Sequence, residues 1–204
     1  SNYVGKIWNL LSVFLFIPLY IHYLGIENYA VIGFYSLVLG IISFADAGMS
    51  SAITREFALD ENASIKYHIL KKIEIIYWSI IVTLSIIIIC FSGFISKVWL
   101  TSATIPSKDL NNYVMLIGVG TSIQLLSSLY FGALFGLGEQ LVSNLYQIVW
   151  TTLKSLFVIV LFIIIDENLY VFFIWQIICN IIYVITLRMK VISNLNKQNY
   201  ILFH

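Results

Sequence analysis

The chain has 204 residues, 60% of them hydrophobic and only 10% charged, with a formal net charge of +1 and a mean hydropathy of +0.95. A soluble globular chain is about 45–50% apolar and about 25% charged. There are too few charges here to cover a water-facing surface, which excludes an ordinary soluble domain. The near-neutral balance offers no basic patch for a phosphate backbone and excludes a nucleic-acid partner.

A membrane-crossing helix needs about 20 mostly apolar residues, because the hydrocarbon layer is about 30 Å thick and each residue rises 1.5 Å. Six stretches meet that requirement, at about residues 7–26, 29–49, 75–96, 112–134, 141–165 and 169–187. The expected fold class is therefore an all-α membrane protein, a six-helix bundle over residues 1–187. Residues 188–204 read as the start of a linker. A chain that begins at Ser1 and stops in a polar stretch at His204 reads as a fragment of a longer one. The connections are short: Gly25-Ile26-Glu27-Asn28 is a tight turn, and Asp60-Glu61-Asn62-Ala63-Ser64 lies in the longest polar loop. Lys6, Arg55, Lys66, Lys71, Lys72, Arg188, Lys190 and Lys197 fall on one side, and Lys97 and Lys108 on the other. Basic residues gather on the cytoplasmic side, so both ends of the chain are expected inside.

Polar residues within spans mark function in membrane proteins, since the bilayer disfavours them. In the fifth span Asn144, Gln147, Thr151, Lys154 and Ser155 fall within an arc of about 100° at helical spacing. A mid-span lysine costs about 2.5–3.5 kcal/mol on insertion scales. Two readings account for it: a cation lining a watery cavity for an anionic ligand, or a structural pairing with a carboxylate or carbonyl. Weaker stripes lie on the fourth span (Thr121, Gln124, Ser128), the sixth (Gln176, Asn180, Tyr183) and the first (Asn9, Ser12, Phe16, Tyr20). Each alone reads as a hydrogen-bonded seam between helices, and together they predict a partly polar bundle interior. Gly132 and Gly136 form a small-xxx-small pair that predicts close helix packing. Asp46 and Arg55, flanking the end of the second span, are placed to reach the cytoplasmic mouth of a cavity; Arg55 reads equally as an inside-positive anchor.

Enzyme signatures are missing: there is no phosphate-binding Gly-rich loop, paired-His metal motif or nucleophile elbow. His22, His68 and His204 are scattered, and Cys90 and Cys179 lie far apart in apolar runs, reading as small buried hydrophobes. No cofactor or metal is expected, and no catalysis.

The segment Pro18-Leu19-Tyr20-Ile21-His22-Tyr23-Leu24-Gly25-Ile26-Glu27-Asn28-Tyr29-Ala30 resembles the end of the first helix and following turn of Wzx-type polysaccharide flippases, members of the multidrug/oligosaccharidyl-lipid/polysaccharide exporter superfamily. Phe44-Ala45-Asp46-Ala47-Gly48-Met49, with Arg55 following, resembles that family's second-helix end, and Phe131 to Glu139 its turn after the fourth helix. The sequence departs from the pattern at His22, where Arg is common, and at Ala30, where Gly is usual. The resemblance implies the amino-terminal lobe of a two-lobed transporter of twelve to fourteen helices in the bacterial cytoplasmic membrane, its partner lobe lying further along the same chain. The implied activity is moving an undecaprenyl-diphosphate-linked oligosaccharide to the outer leaflet by alternating access, for O-antigen or capsule assembly. Lys154 and Arg55 would then meet the diphosphate, and Asn144, Gln147 and Thr151 the sugar hydroxyls. The competing transporter class, a cation-coupled multidrug and toxic-compound extrusion antiporter, would want buried carboxylates instead. A membrane-embedded glycan enzyme would want larger loops, and a non-transporting scaffold is a further alternative.

Overall fold

The structure is a computed structural model that describes residues 2–46, 48–59, 62–100 and 104–202; the side chains of residues 2–7, 9, 10, 13, 45 and 199–202 are outside the description. Lys6, Asn9, Ala47, Asp60, Glu61 and His204, invoked above, therefore fall outside it in whole or in side chain. Six helices follow one another: α1 (Asn2–Ala45), α2 (Met49–Ala58), α3 (Ala63–Trp99), α4 (Ser107–Gly136), α5 (Gln140–Ile164) and α6 (Leu169–Leu202). Among the described residues, five helices are long and apolar enough to cross a membrane. The all-α membrane bundle expected from composition is the observed architecture.

Helix α1 is two crossing limbs rather than one. Gly25 sits at φ 79°, ψ 164° inside it, a backbone conformation that is essentially restricted to glycine. The contacts on either side show that the chain reverses there. In the first limb, Trp8 Nε1–H donates to Thr152 at 2.8 Å and the Tyr23 ring lies 6.1 Å from Phe162, so this limb runs parallel to α5. In the second limb, Phe34 packs on Trp99, while Asp46 meets Tyr77, so this limb runs antiparallel to α3. Tyr130–Glu74 with Gly118–Ile88 makes α4 antiparallel to α3, and Asn112–Tyr170 with Gly120–Asn180 makes it parallel to α6. Lys154–Asn180 and Phe157–Trp175 make α5 antiparallel to α6. Following these directions, the described chain traverses the bundle six times, and residues 2, 46, 48–59, 62–63, 136–140 and 187–202 share one end. That end is called the terminal end below, and the opposite one the Gly25 end.

Two local features differ from the sequence reading. The polar stretch after the second span is not all loop: Met49–Ala58 forms α2, an amphipathic helix of nearly three turns whose Ile53 and Phe57, one helical turn apart, are buried. Residues 188–202, expected as linker, continue α6 as helix and bury Val191 and Leu195. Helix α3 likewise starts at Ala63, well before the apolar stretch, and seats Lys66 in the core, where its Nζ donates to Phe57 O at 2.9 Å. That bond gives the ammonium one acceptor and ties α3 to α2.

Helix α4 is the centre of the bundle, with 61% of its most apolar stretch buried against 17% in α3 and 11% in α5. It ends in a Schellman motif: Gly138 (φ 79°) donates to Phe135 O at 3.1 Å and Glu139 to Leu134 O at 2.9 Å. Helices α3 and α5 turn large apolar side chains outward, including Ile75, Phe94, Ile163 and Ile164, and α1 exposes Phe14 and Phe44. A soluble monomer rarely exposes apolar patches above a few hundred Å², and this belt fits a surface that faces lipid. Cys179 is buried as expected, whereas Cys90 lies exposed on that belt, so the expectation of two buried thiols fails for one. The reason is rotational: an apolar run in a lipid-facing helix has no hydrophobic reason to turn its cysteine inward.

Candidate functional site

A cavity of about 720 Å³ opens among α1, α2, α4, α5 and α6. This is within the range of about 300–1,000 Å³ typical of ligand sites. Its wall is assembled from the polar stripes that the sequence showed separately. Tyr20 comes from the first limb of α1, Gln124 and Ser128 from α4, Gln147, Thr151, Lys154 and Ser155 from α5, and Gln176, Asn180 and Tyr183 from α6. Apolar side chains such as Leu39, Phe131 and Phe172 complete it.

Lys154 stands near the middle of its helix, ten residues from its last, Ile164, or about 15 Å from that end at 1.5 Å per residue. Its Nζ donates to Asn180 Oδ1 at 3.0 Å. Asn180, only 2% exposed, spends its amide N–H on Gly120 O at 3.0 Å and on Gln124 Oε1 at 3.4 Å. Gln124 Oε1 also accepts from Tyr35 O–H at 3.3 Å. The lysine is thus anchored by a neutral amide relay that runs through three helices, and it forms no ion pair with a described carboxylate. Asn180 orients the ammonium but leaves its charge uncompensated. Lys154 lines the cavity, and its hydrogen bond joins α5 to α6.

The other candidates separate. Gln147 and Thr151 line the cavity with Lys154. Asn144 is buried at the terminal end of α5 and is not among the lining residues. Arg55 is exposed on α2 and is not in the wall either; Ser50, Ser51 and Thr54 of the same helix are. The physical reason is the amphipathic rotation of α2. Burying Ile53 and Phe57 against α4 turns residue 55 outward and the small hydroxyl residues inward. Asp46, 7% exposed, lies in an adjoining cavity of about 380 Å³ that shares Gln124, Ser127 and Ser128 with the first, and it accepts a hydrogen bond from Tyr77 O–H.

Helix α2 reaches the wall because of the glycine pair. A Cβ on Gly132 would lie 2.5 Å from Ser50 O, and one on Gly136 2.5 Å from Thr54 O. Thr54 Oγ1–H is shared between Ser50 O at 2.8 Å in its own helix and Gly132 O at 3.0 Å across the contact. The expectation of close packing at Gly132 and Gly136 is met, with α2 as the partner.

At the terminal end, Glu74 of α3 is buried and accepts from Arg188 Nε at 2.8 Å, Arg188 Nη2 at 3.3 Å and Tyr130 O–H at 2.8 Å. This knot joins α3, α4 and α6 beside the cavity and does not line it. Wall residues that went unread in the sequence as ligand contacts include Trp150 and the α2 hydroxyl residues Ser50, Ser51 and Thr54. The signal for the second was present, since Ser50, Ser51 and Thr54 cluster on one side of an Ile53–Phe57 stripe. Trp150 sits just beside the polar arc of α5 and resembles the interfacial aromatics elsewhere in the chain. Comparison with family models, with curated proteins and with solved structures finds no match.

Proposed function

We propose that this chain is one lobe of a transporter that carries an anionic, lipid-linked oligosaccharide across a bilayer, its cargo being of the undecaprenyl-diphosphate type. The observation that carries the reading is the uncompensated ammonium of Lys154 in a polar cavity near mid-helix, held by the neutral Asn180 amide. A diphosphate crossing hydrocarbon loses its hydration, and a cation with convergent amide and hydroxyl groups substitutes for that water. The cargo's lipid tail has no such need and can stay in the bilayer. No chemical bond need form or break. The resemblance of residues 18–30 and 44–58 to Wzx-type flippases supports the same reading. The excess of basic residues at the terminal end fits a cytoplasmic location for that end under the positive-inside rule. The mechanism is alternating access, with this lobe rocking against a second lobe of the same chain.

With Arg55 outside the wall, the diphosphate has one lysine rather than two basic partners, and the remaining donors are neutral. One observation favours the cation-coupled drug antiporter as a second reading: the buried carboxylate of Asp46 in the adjoining cavity. Lys154 in the main cavity opposes it, since a fixed positive charge repels a cationic drug.

The test is glycan export by the complete protein. Lys154→Ala should insert normally into the membrane and lose surface glycan, and Lys154→Arg should retain it. Normal export by Lys154→Ala would remove the lysine from the mechanism and with it the anionic-cargo reading.

A further inference from the structure

Two buried donors in the cavity wall have no acceptor. Tyr183, 8% exposed, and Trp150 both line the cavity, and neither Tyr183 Oη nor Trp150 Nε1 finds a partner among the described residues. Their rings stack on each other at 5.2 Å and 9°. Phe131 packs on Tyr183 at 5.9 Å and 60°. The stack holds both rings in place, so their polar edges are positioned in advance. Buried polar side-chain atoms in native proteins are nearly always paired, so two enclosed donors without a partner in a packed aromatic pair call for an acceptor that reaches them as neighbouring wall side chains shift.

The position of the pair says which part of a ligand it would meet. Trp150 lies four residues before Lys154 on α5, and Tyr183 three residues after Asn180 on α6. Residues three and four apart share a helix face, so the aromatic pair and the Lys154–Asn180 pair are two stations on one wall, about 6 Å apart along the helix at 1.5 Å per residue. The charged station suits the anionic group. The neutral station offers one indole N–H and one phenol O–H, with Gln147 and Thr151 beside it on the same helix. Neutral donors of this kind pair with hydroxyl and ring oxygens, and they lack the charge a phosphate would require in a site shielded from water.

We infer that Trp150 and Tyr183 form a sugar-binding subsite that takes oxygen acceptors of the first saccharide unit, next to the Lys154 site for the anionic linkage. The inference rests on the proposed cargo being a glycan joined to lipid through a diphosphate. It adds which residues read the sugar, and on which side of the lysine the sugar lies: toward the terminal end.

Binding to the full-length protein in lipid nanodiscs tests it with three probes: farnesyl diphosphate, farnesyl diphosphate bearing N-acetylglucosamine, and a neutral alkyl maltoside. Tyr183→Phe and Trp150→Phe preserve the stack and each remove one donor. Each should weaken the sugar-bearing diphosphate about five- to tenfold and leave farnesyl diphosphate within twofold, whereas Lys154→Gln should weaken both diphosphates. Equal weakening of both diphosphates by Tyr183→Phe would move the donors to the phosphate and overturn the sugar subsite. No change from either aromatic variant, with the wild type binding normally, would also overturn it, the donors then being satisfied by water alone. Binding of the maltoside, sensitive to Tyr183→Phe, without diphosphate binding would uphold the subsite and overturn the anionic-cargo reading. Binding of none of the three would overturn both.

Discussion

Replacing Gly132 by alanine should separate α2 from α4 and deform one wall of the cavity. The added Cβ would lie 2.5 Å from Ser50 O and 2.7 Å from Ile53 Cγ2. The carbonyl is backbone and cannot rotate away. Reaching an ordinary contact of about 3.4 Å requires α2 to retreat by roughly 0.9 Å, the difference of the two distances. That shift takes the Thr54 Oγ1–Gly132 O bond from 3.0 Å beyond hydrogen-bonding range. Overpacking costs about 1–3 kcal/mol, and the lost contact adds up to about 1 kcal/mol, because the Thr54 hydroxyl keeps its bond to Ser50 O at 2.8 Å. Alanine's better helix propensity returns about 1 kcal/mol. The net expectation is about 1–3 kcal/mol of destabilisation. The assay is unfolding by dodecyl sulfate titration in bicelles, with Gly93→Ala as the control. A Cβ at Gly93 meets only Asn111 Oδ1, at an ordinary 3.8 Å, so that variant should be neutral or slightly stabilised. Should Gly132→Ala unfold at or above the wild-type midpoint, α2 does not dock on α4 through this glycine and the cavity wall drawn from it is wrong.

Other expectations follow from single residues. Gly25→Ala meets nothing within 4 Å yet forces a side chain onto φ +79°; it should cost about 1–3 kcal/mol through backbone strain alone, read from the same unfolding titration. Glu74→Ala strips the acceptor from buried Tyr130 and from Arg188, whose side chain is 42% exposed. Because the arginine can turn to water, the expected loss is about 1–3 kcal/mol rather than the 3–5 kcal/mol of a fully buried pair, and Arg188→Ala should cost less. Arg55→Ala, being outside the cavity, should leave glycan export by the complete protein near wild type while Lys154→Ala abolishes it; equal losses would return Arg55 to the transport path. Tyr77→Phe removes the donor to Asp46 and leaves a buried carboxylate unpaired; its expected destabilisation of about 1–3 kcal/mol should largely vanish in an Asp46→Leu background, as a double-mutant cycle would show.

Much of the fold could be read directly because the bilayer imposes it. Length and apolarity of each stretch depend only on local sequence, and the thickness of the hydrocarbon fixes what they must be. Six crossings and the turn at Gly25 followed from that. The turn illustrates the point well, since a single glycine backbone state within an otherwise continuous helix divides two crossings. The extents of α3 and α6 did not follow, because residues 63–74 and 188–202 are too polar to read as spans. Packing of Leu70, Val191 and Leu195 into the core makes them helical, and this is a tertiary effect.

For the candidate site, sequence alone determined which polar faces exist: a helix carries its stripe at 3.6 residues per turn whatever surrounds it. Only the tertiary structure decided how each helix is rotated about its axis and which stripes meet. Rotation brought Lys154, Gln147 and Thr151 into one wall with Asn180 and Tyr183, turned Arg55 outward on α2, and buried Asn144 away from the cavity. Helices in lipid gain nothing hydrophobic by turning one apolar face rather than another inward. Their rotation is set by close-packed glycines, buried hydrogen bonds and ring contacts with partners distant in sequence, and those partners are known only once the chain has folded.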